Sequence, residues 1–225
     1  LEKIVDHKRV IVPQLGATGV AAGDVKKLSG FRVVYGPIRA NDIPTFLKNK
    51  RKADKKMRQV TFNLYERFIL TPVEIQIFLK PAMITALILF IISGFGPGIF
   101  SFSGAWERGM LSFLAFIAGI VSGAFVTPVL LPFLPSRQFA LKGIIAGSVL
   151  AILFLSQVSY DIIGIEGSLA LFLFSVTISS YLAMNFTGAT PFTSPSGVEK
   201  EMKRYISVQL ACLVISTGLW IYSAF

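Results

Sequence analysis

The chain has 225 residues, 53% of them hydrophobic and only 15% charged, against about 25% charged in an ordinary soluble domain. Its net charge of +10 is uneven, because 16 of the 22 Lys and Arg fall in residues 1–80. A single cysteine, Cys212, and a single histidine, His7, exclude an internal disulfide and any Cys/His metal cage.

"RVIVP" (Arg9 to Pro13) is short, apolar and β-branched, which predicts a buried strand. "QLGATG" follows as a glycine-containing loop. "VAAGDVKKLSG" (Val20 to Gly30) suits a helix with Lys26 and Lys27 in its last turn and Gly30 as its stop. "FRVVY" (Phe31 to Tyr35) predicts a second strand. "GPIRAND" is a second loop in which Asn41 suits the N-cap of the short helix "DIPTFLKNK". A β-α-β-α order implies parallel strands joined by a right-handed crossover. Two strands and two helices bury too little to stand alone, so either partner strands lie upstream of Leu1 or this piece docks on another subunit; the first is favoured, with the chain the back part of a longer protein.

"KNKRKADKKMR" (Lys48 to Arg58) is the densest basic run and lies shortly before the first apolar stretch. Anionic lipid attracts such a juxtamembrane segment at about 1 kcal/mol per cation, so membrane lipid, and no nucleic acid, is the expected partner. Residues 59–80 mix apolar positions with Glu66, Arg67 and Glu74, as in a linker or an interfacial helix. Five candidate spans follow: Pro81 to Gly96, Gly109 to Leu134, Phe139 to Val158, Gly167 to Phe186 and Tyr205 to Tyr222. Basic residues on the N-terminal side and in the even loops number 21, and the odd loops hold only Arg108. The positive-inside rule then puts the N-terminal part in the cytoplasm and the C-terminus outside.

Three prolines in "TPVLLPFLPS" (Thr127 to Ser136) predict a kink, or a kinked wall beside a cytoplasmic-side site. "MNFTGATPFTSPSGVEKEMKR" (Met184 to Arg204) reads as a polar loop with a helix opening at Ser196. Ionisable residues fall only near the ends of the spans, which lowers a transport reading. Cys212 reads as a small apolar residue of the fifth span, and His7 as a surface residue.

In an open α/β sheet, ligands sit beyond the carboxyl ends of the strands. Those ends are "PQLGATG" and "GPIRA", and Gly16, Gly19 and Gly36 would let backbone approach a ligand while Arg39 meets a phosphate or carboxylate. A full G-x-G-x-x-G is missing, so no dinucleotide fingerprint is present; tight structural turns explain the same glycines equally well.

The run "HKRVIVPQLGATGVAAGDVKKLSGFRVVYGPIRANDIPTFL" resembles the second half of the corrinoid-binding domain of the mercury-methylating corrinoid proteins, relatives of the large subunit of the corrinoid iron–sulfur protein of the acetyl-CoA pathway. "TPVLLPFLPSRQFALKG" and "SSYLAMNFTGATPFTSPSGVEKEMK" are similar to the family's membrane segments. The resemblance implies a partial Rossmann-like α/β corrinoid-binding domain over residues 1–58, a juxtamembrane piece over 59–80, and an all-α bundle of five transmembrane helices over 81–225. It implies a corrinoid (cobalamin) cofactor and a corrinoid-dependent methyltransferase that receives methyl from a folate-pathway methyltransferase and passes it to Hg(II). A ferredoxin-like protein with two 4Fe–4S clusters is the implied reductant. Pro13, Gln14, Leu15, Gly16, Ala17 and Gly19 in one loop, and Tyr35, Gly36, Pro37 and Arg39 in the other, would form part of the cradle. The family's Trp-Cys cap motif, whose Cys is taken as the cobalt ligand, has no match here, so this chain would supply neither a catalytic residue nor a metal ligand and would be inactive by itself. A membrane-bound corrinoid carrier of one-carbon metabolism, and a transporter or anchor without chemistry of its own, are the alternatives.

Overall fold

The computed structural model describes residues 5–189 and 195–225. The chain divides into two compact units, Leu1–Thr61 and Phe62–Phe225, three residues beyond the expected boundary at 58.

The first unit is built on two strands, β1 (Arg9–Pro13) and β2 (Arg32–Gly36), joined through helix α1 (Ala22–Ser29). They pair in parallel, Arg9 opposite Arg32 and Pro13 opposite Gly36, as the β-α-β order requires. Gly30 closes α1 at φ +73°, a left-handed position where glycine avoids the Cβ penalty. Helix α2 (Ile43–Lys48) places Phe46 in the core, fully buried. Asn41 is not its cap: Asn41 lies inside the 3-10 turn Ala40–Asp42, and Asp42 takes the cap position without a side-chain bond. The turn brings the chain into the helix already wound, so no extended capping residue is needed.

The second unit is mostly helical. Helix α3 (Leu64–Ser93) runs unbroken through Pro72 and Pro81, so residues 64–80 are helix continuous with the first expected span. Asn63 opens it with a reciprocal capping box, accepting from the Glu66 N–H at 2.9 Å while Glu66 Oε2 accepts from the Asn63 N–H at 3.0 Å. A two-residue hairpin, β3 (Phe95–Gly96) and β4 (Ile99–Phe100), leads to α4 (Phe102–Ile120). The second apolar helix therefore starts at Phe102 rather than Gly109, because Ser101 caps it by accepting from the Gly104 N–H. Arg108 lies inside α4 and not in a loop. It donates to the Trp220 carbonyl and to Ser223 Oγ at 2.8 Å, with its guanidinium 4.4 Å from the Trp220 ring centroid.

After α4 the chain widens into a π turn, Val121–Val126, before α5 (Thr127–Val129). Thr127 donates both its N–H and its Oγ1 to the Ser122 carbonyl, the hydroxyl at 2.8 Å. Pro128 lacks an N–H, and this wider turn is how the proline run is accommodated. Helix α6 (Phe139–Leu155), α7 (Tyr160–Asn185, interrupted at Gly164) and α8 (Pro195–Tyr222) complete the unit. The expected polar loop after Met184 falls in part on residues 190–194, outside the described residues. Among the described residues, Phe102–Val129, Ile162–Asn185 and Ser196–Tyr222 are long and apolar enough to cross a membrane, while Phe78–Ser93 and Phe139–Leu155 are shorter apolar helices.

Helices α6 and α7 meet through small residues. A Cβ on Gly143 would lie 2.6 Å from the Ser179 carbonyl oxygen and 2.7 Å from the Ala183 Cβ. Ser179 Oγ donates to the Gly143 carbonyl at 2.7 Å, and Ser180 Oγ to that of Ala140 at 3.1 Å. Overpacking such a contact costs about 1–3 kcal/mol, so Gly143→Val is expected to lower the thermal midpoint of the purified protein. Gly218→Ala, whose added Cβ meets nothing within 4 Å, is expected to leave it unchanged or slightly raised in the same measurement.

Candidate functional site

The parallel register brings the carboxyl ends of both strands to one edge of the first unit. Pro13 and Gly36 are partners there, so the segments leaving β1 and β2 start side by side. The expected cradle residues divide between them.

Gln14, Leu15, Gly16 and Ala17 form a single 3-10 turn, Gln14–Thr18, which is tighter than the expected open loop. The N–H groups of Gly19 and Val20 both return to the Gly16 carbonyl, at 3.1 and 3.0 Å. Leu15 is exposed and Ala17 half-buried. From the other strand, Gly36 and Pro37 are buried. Tyr35 donates its hydroxyl to the Val20 carbonyl at 2.7 Å, which ties the turn after β1 to the end of β2. Arg39 is exposed and its guanidinium donates to Thr61 Oγ1.

The glycines do different things. A Cβ on Gly16 would meet Val12 Cγ1 at 2.9 Å, and one on Gly36 would meet Ile11 Cγ2 at 2.9 Å. At these two positions the close approach is between the unit's own strand and turn. Gly19 differs, since the nearest atom to its added Cβ is the Gly16 carbonyl oxygen at 4.0 Å. Of the three glycines, Gly19 alone would present a new side chain to open space.

One polar atom at this edge lacks a partner. Gln14 Oε1 is buried and accepts no hydrogen bond among the described residues. A buried acceptor without a donor costs about 1–3 kcal/mol, and such atoms in native structures often mark an absent ligand or water. The strand-end rule pointed to Gln14 by position; its burial is tertiary information. His7 is exposed, at the opposite end of β1. No group of three or more metal-ligating side chains occurs among the described residues.

Two cations escaped the sequence reading as anything more than topology markers. Arg67 on α3 and Lys142 on α6 are both more than nine-tenths buried, at 6% and 8% exposure. The only sequence signal was a charge within the first turn of an apolar helix. Cys212 is half-buried on α8, consistent with a packing residue.

No family model matches the chain, and neither a curated protein nor a solved structure matches it.

Tyr35→Phe removes the bond that joins the two strand ends. It is expected to cost about 1 kcal/mol, read as faster amide exchange at Gly19 and Val20 than in the wild type.

Proposed function

We propose that the chain is the membrane-anchoring part, with a portion of the corrinoid-binding domain, of a methyl carrier that delivers a methyl group to Hg(II). The observation that carries this reading is the strand-end edge. Two parallel strands finish together, and the segments that resemble the corrinoid cradle of the mercury-methylating family are the two that leave that edge.

The residues fit part of a corrinoid site. Gln14 Oε1 is a buried acceptor without a donor, and the corrin periphery carries amide N–H groups able to supply one. Gly19 keeps the turn free of side chain where an added Cβ would reach open space. Tyr35, through the Val20 carbonyl, holds the two segments in one arrangement. When bound, the corrinoid would carry the methyl group on its cobalt; the chain's own share is to seat and orient it. Hg(II) is substrate and needs no resident ligand here. A folate-pathway methyltransferase as methyl source and a ferredoxin-like reductant with two 4Fe–4S clusters complete the proposal.

In this reading all five apolar helices cross the prokaryotic inner membrane, with the N-terminal unit and the even loops on the cytoplasmic side. The basic distribution of 21 against one supports that orientation. Helix α3 has 30 residues, about 45 Å at 1.5 Å each, enough to cross with one end in the interface. Helix α6 has 17, about 25 Å, which a short local thinning of the bilayer accommodates.

The test uses the full-length protein with cobalamin. Gly19→Val is expected to abolish retention of the corrinoid absorbance through purification while leaving helical content and the thermal midpoint unchanged. Gln14→Leu is expected to weaken retention about tenfold, from the loss of one hydrogen bond to a buried acceptor. Full cobalamin occupancy in both variants would remove the cradle from this edge. Methylmercury formation from methylated wild-type protein and Hg(II), measured beside a one-carbon acceptor, separates mercury methylation from a carrier of carbon metabolism.

A further inference from the structure

At the end of the helical unit where α3 begins and α5 ends, Arg67, Arg137 and Lys142 line one cavity of about 400 Å³. Its remaining walls are largely apolar, with Phe62, Leu131 and Phe139 among them. Phe139 and Leu131 belong to a buried cluster with Phe186, against which Phe62 packs.

Two of the three cations donate to backbone carbonyls. Arg67 Nε donates to the Asn63 carbonyl at 3.3 Å. Lys142 Nζ donates to the Leu131 carbonyl. Leu131 lies in the turn after α5, where Pro132 and Pro135 carry no N–H. Arg67 uses one of its five side-chain N–H donors and Lys142 one of its three among the described residues. Among the described residues none of the three cations has a carboxylate partner. Glu201, the carboxylate that does reach this end of α6, accepts from the Ala140 N–H at 2.7 Å.

Two buried like charges and a third at the rim, with no counter-charge among the described residues, form a costly arrangement that an anion relieves. We propose that this cavity binds a phosphate-bearing anion. Arg67 and Arg137 present guanidinium forks suited to phosphate oxygens, and Lys142 adds a point charge at the floor. The apolar walls beside the cations fit the headgroup region of an anionic phospholipid, and basic pockets between membrane helices take such headgroups on the cytoplasmic side. The orientation rests on the topology proposed above, whereas the anion chemistry does not, so failure of the cobalamin experiment leaves this site untouched.

The experiment follows the thermal midpoint of the full-length protein in a nonionic detergent. Phosphatidylglycerol, phosphatidylcholine and inorganic phosphate are titrated separately. Phosphatidylglycerol is expected to raise the midpoint by about 4 °C or more at saturation, and phosphatidylcholine to have no comparable effect. An equal rise with inorganic phosphate would assign the site to a free phosphate in place of a lipid. Arg137→Gln, at an exposed position that leaves the packing alone, is expected to shift the titration about tenfold, and Lys142→Gln at least as far. No rise with either anion, an equal rise with phosphatidylcholine, or a titration unchanged in Arg137→Gln would overturn the proposal.

Discussion

In hydrocarbon, apolar side chains gain nothing by leaving lipid for protein, so helices must be held by close backbone approach and by polar groups that satisfy one another. Helix α7 is where this chain meets that constraint. Gly143 and Gly147 of α6 lie against Ser179 and its neighbours, and Gly119 and Gly123 at the end of α4 and in the π turn meet the same face near Ser175 and Ser179. Glycine removes the one atom that would hold the backbones apart. Serine hydroxyls then donate across the gap to the Gly143 and Ala140 carbonyls. Once α4 and α6 are both fixed on α7, the end of α5 and the start of α6 are fixed as well. That is what brings Lys142 under the Leu131 carbonyl.

The two ends of the helical unit treat charge differently. At one end Arg108 is spent on Trp220 and Ser223, and Trp220 Nε1 donates to Ser93 Oγ at 2.9 Å. Ser93 in turn lies 3.4 Å from Ser112 Oγ. That chain stitches α3, α4 and α8 together and leaves the guanidinium engaged. At the other end Arg67 and Lys142 are more deeply buried than the half-buried Arg108, and among the described residues they use few of their donors. The same residue types serve as a clasp at one end and stay available at the other. Aromatic stacking and internal carbonyls account for the first arrangement; the second is the one proposed to take an external anion.

Much of the fold was legible because local chemistry dictated it. The strand at Arg9–Pro13, Gly30 at a left-handed helix stop and the long apolar stretches all depend on neighbours in sequence, although the strand expected to be buried is half-exposed, with no buried residue. Where the reading slipped, tertiary or junctional geometry intervened. Asn41 had the right chemistry for a cap, but the chain enters α2 already wound. Arg108 looked like a loop residue because no sequence pattern records that Trp220 would shelter its charge. Gly16 and Gly36 were read equally as openings to a ligand and as tight structural turns, and a Cβ added at either would meet Val12 or Ile11 at 2.9 Å. The strand-end rule nevertheless led to Gln14 and Gly19, the two positions at that edge with an unmet acceptor and an open flank.

The cap on α6 has a consequence for how the chain is made. The N–H of Ala140 is satisfied by Glu201, 61 residues further along. A ribosome must therefore synthesise α6, α7 and the first turns of α8 before the opening of α6 is closed. Until then the exposed amides at that helix start must borrow partners from water or lipid headgroups. The pair of α6 and α7 is thus formed in a provisional state, and α8 is the helix that locks it.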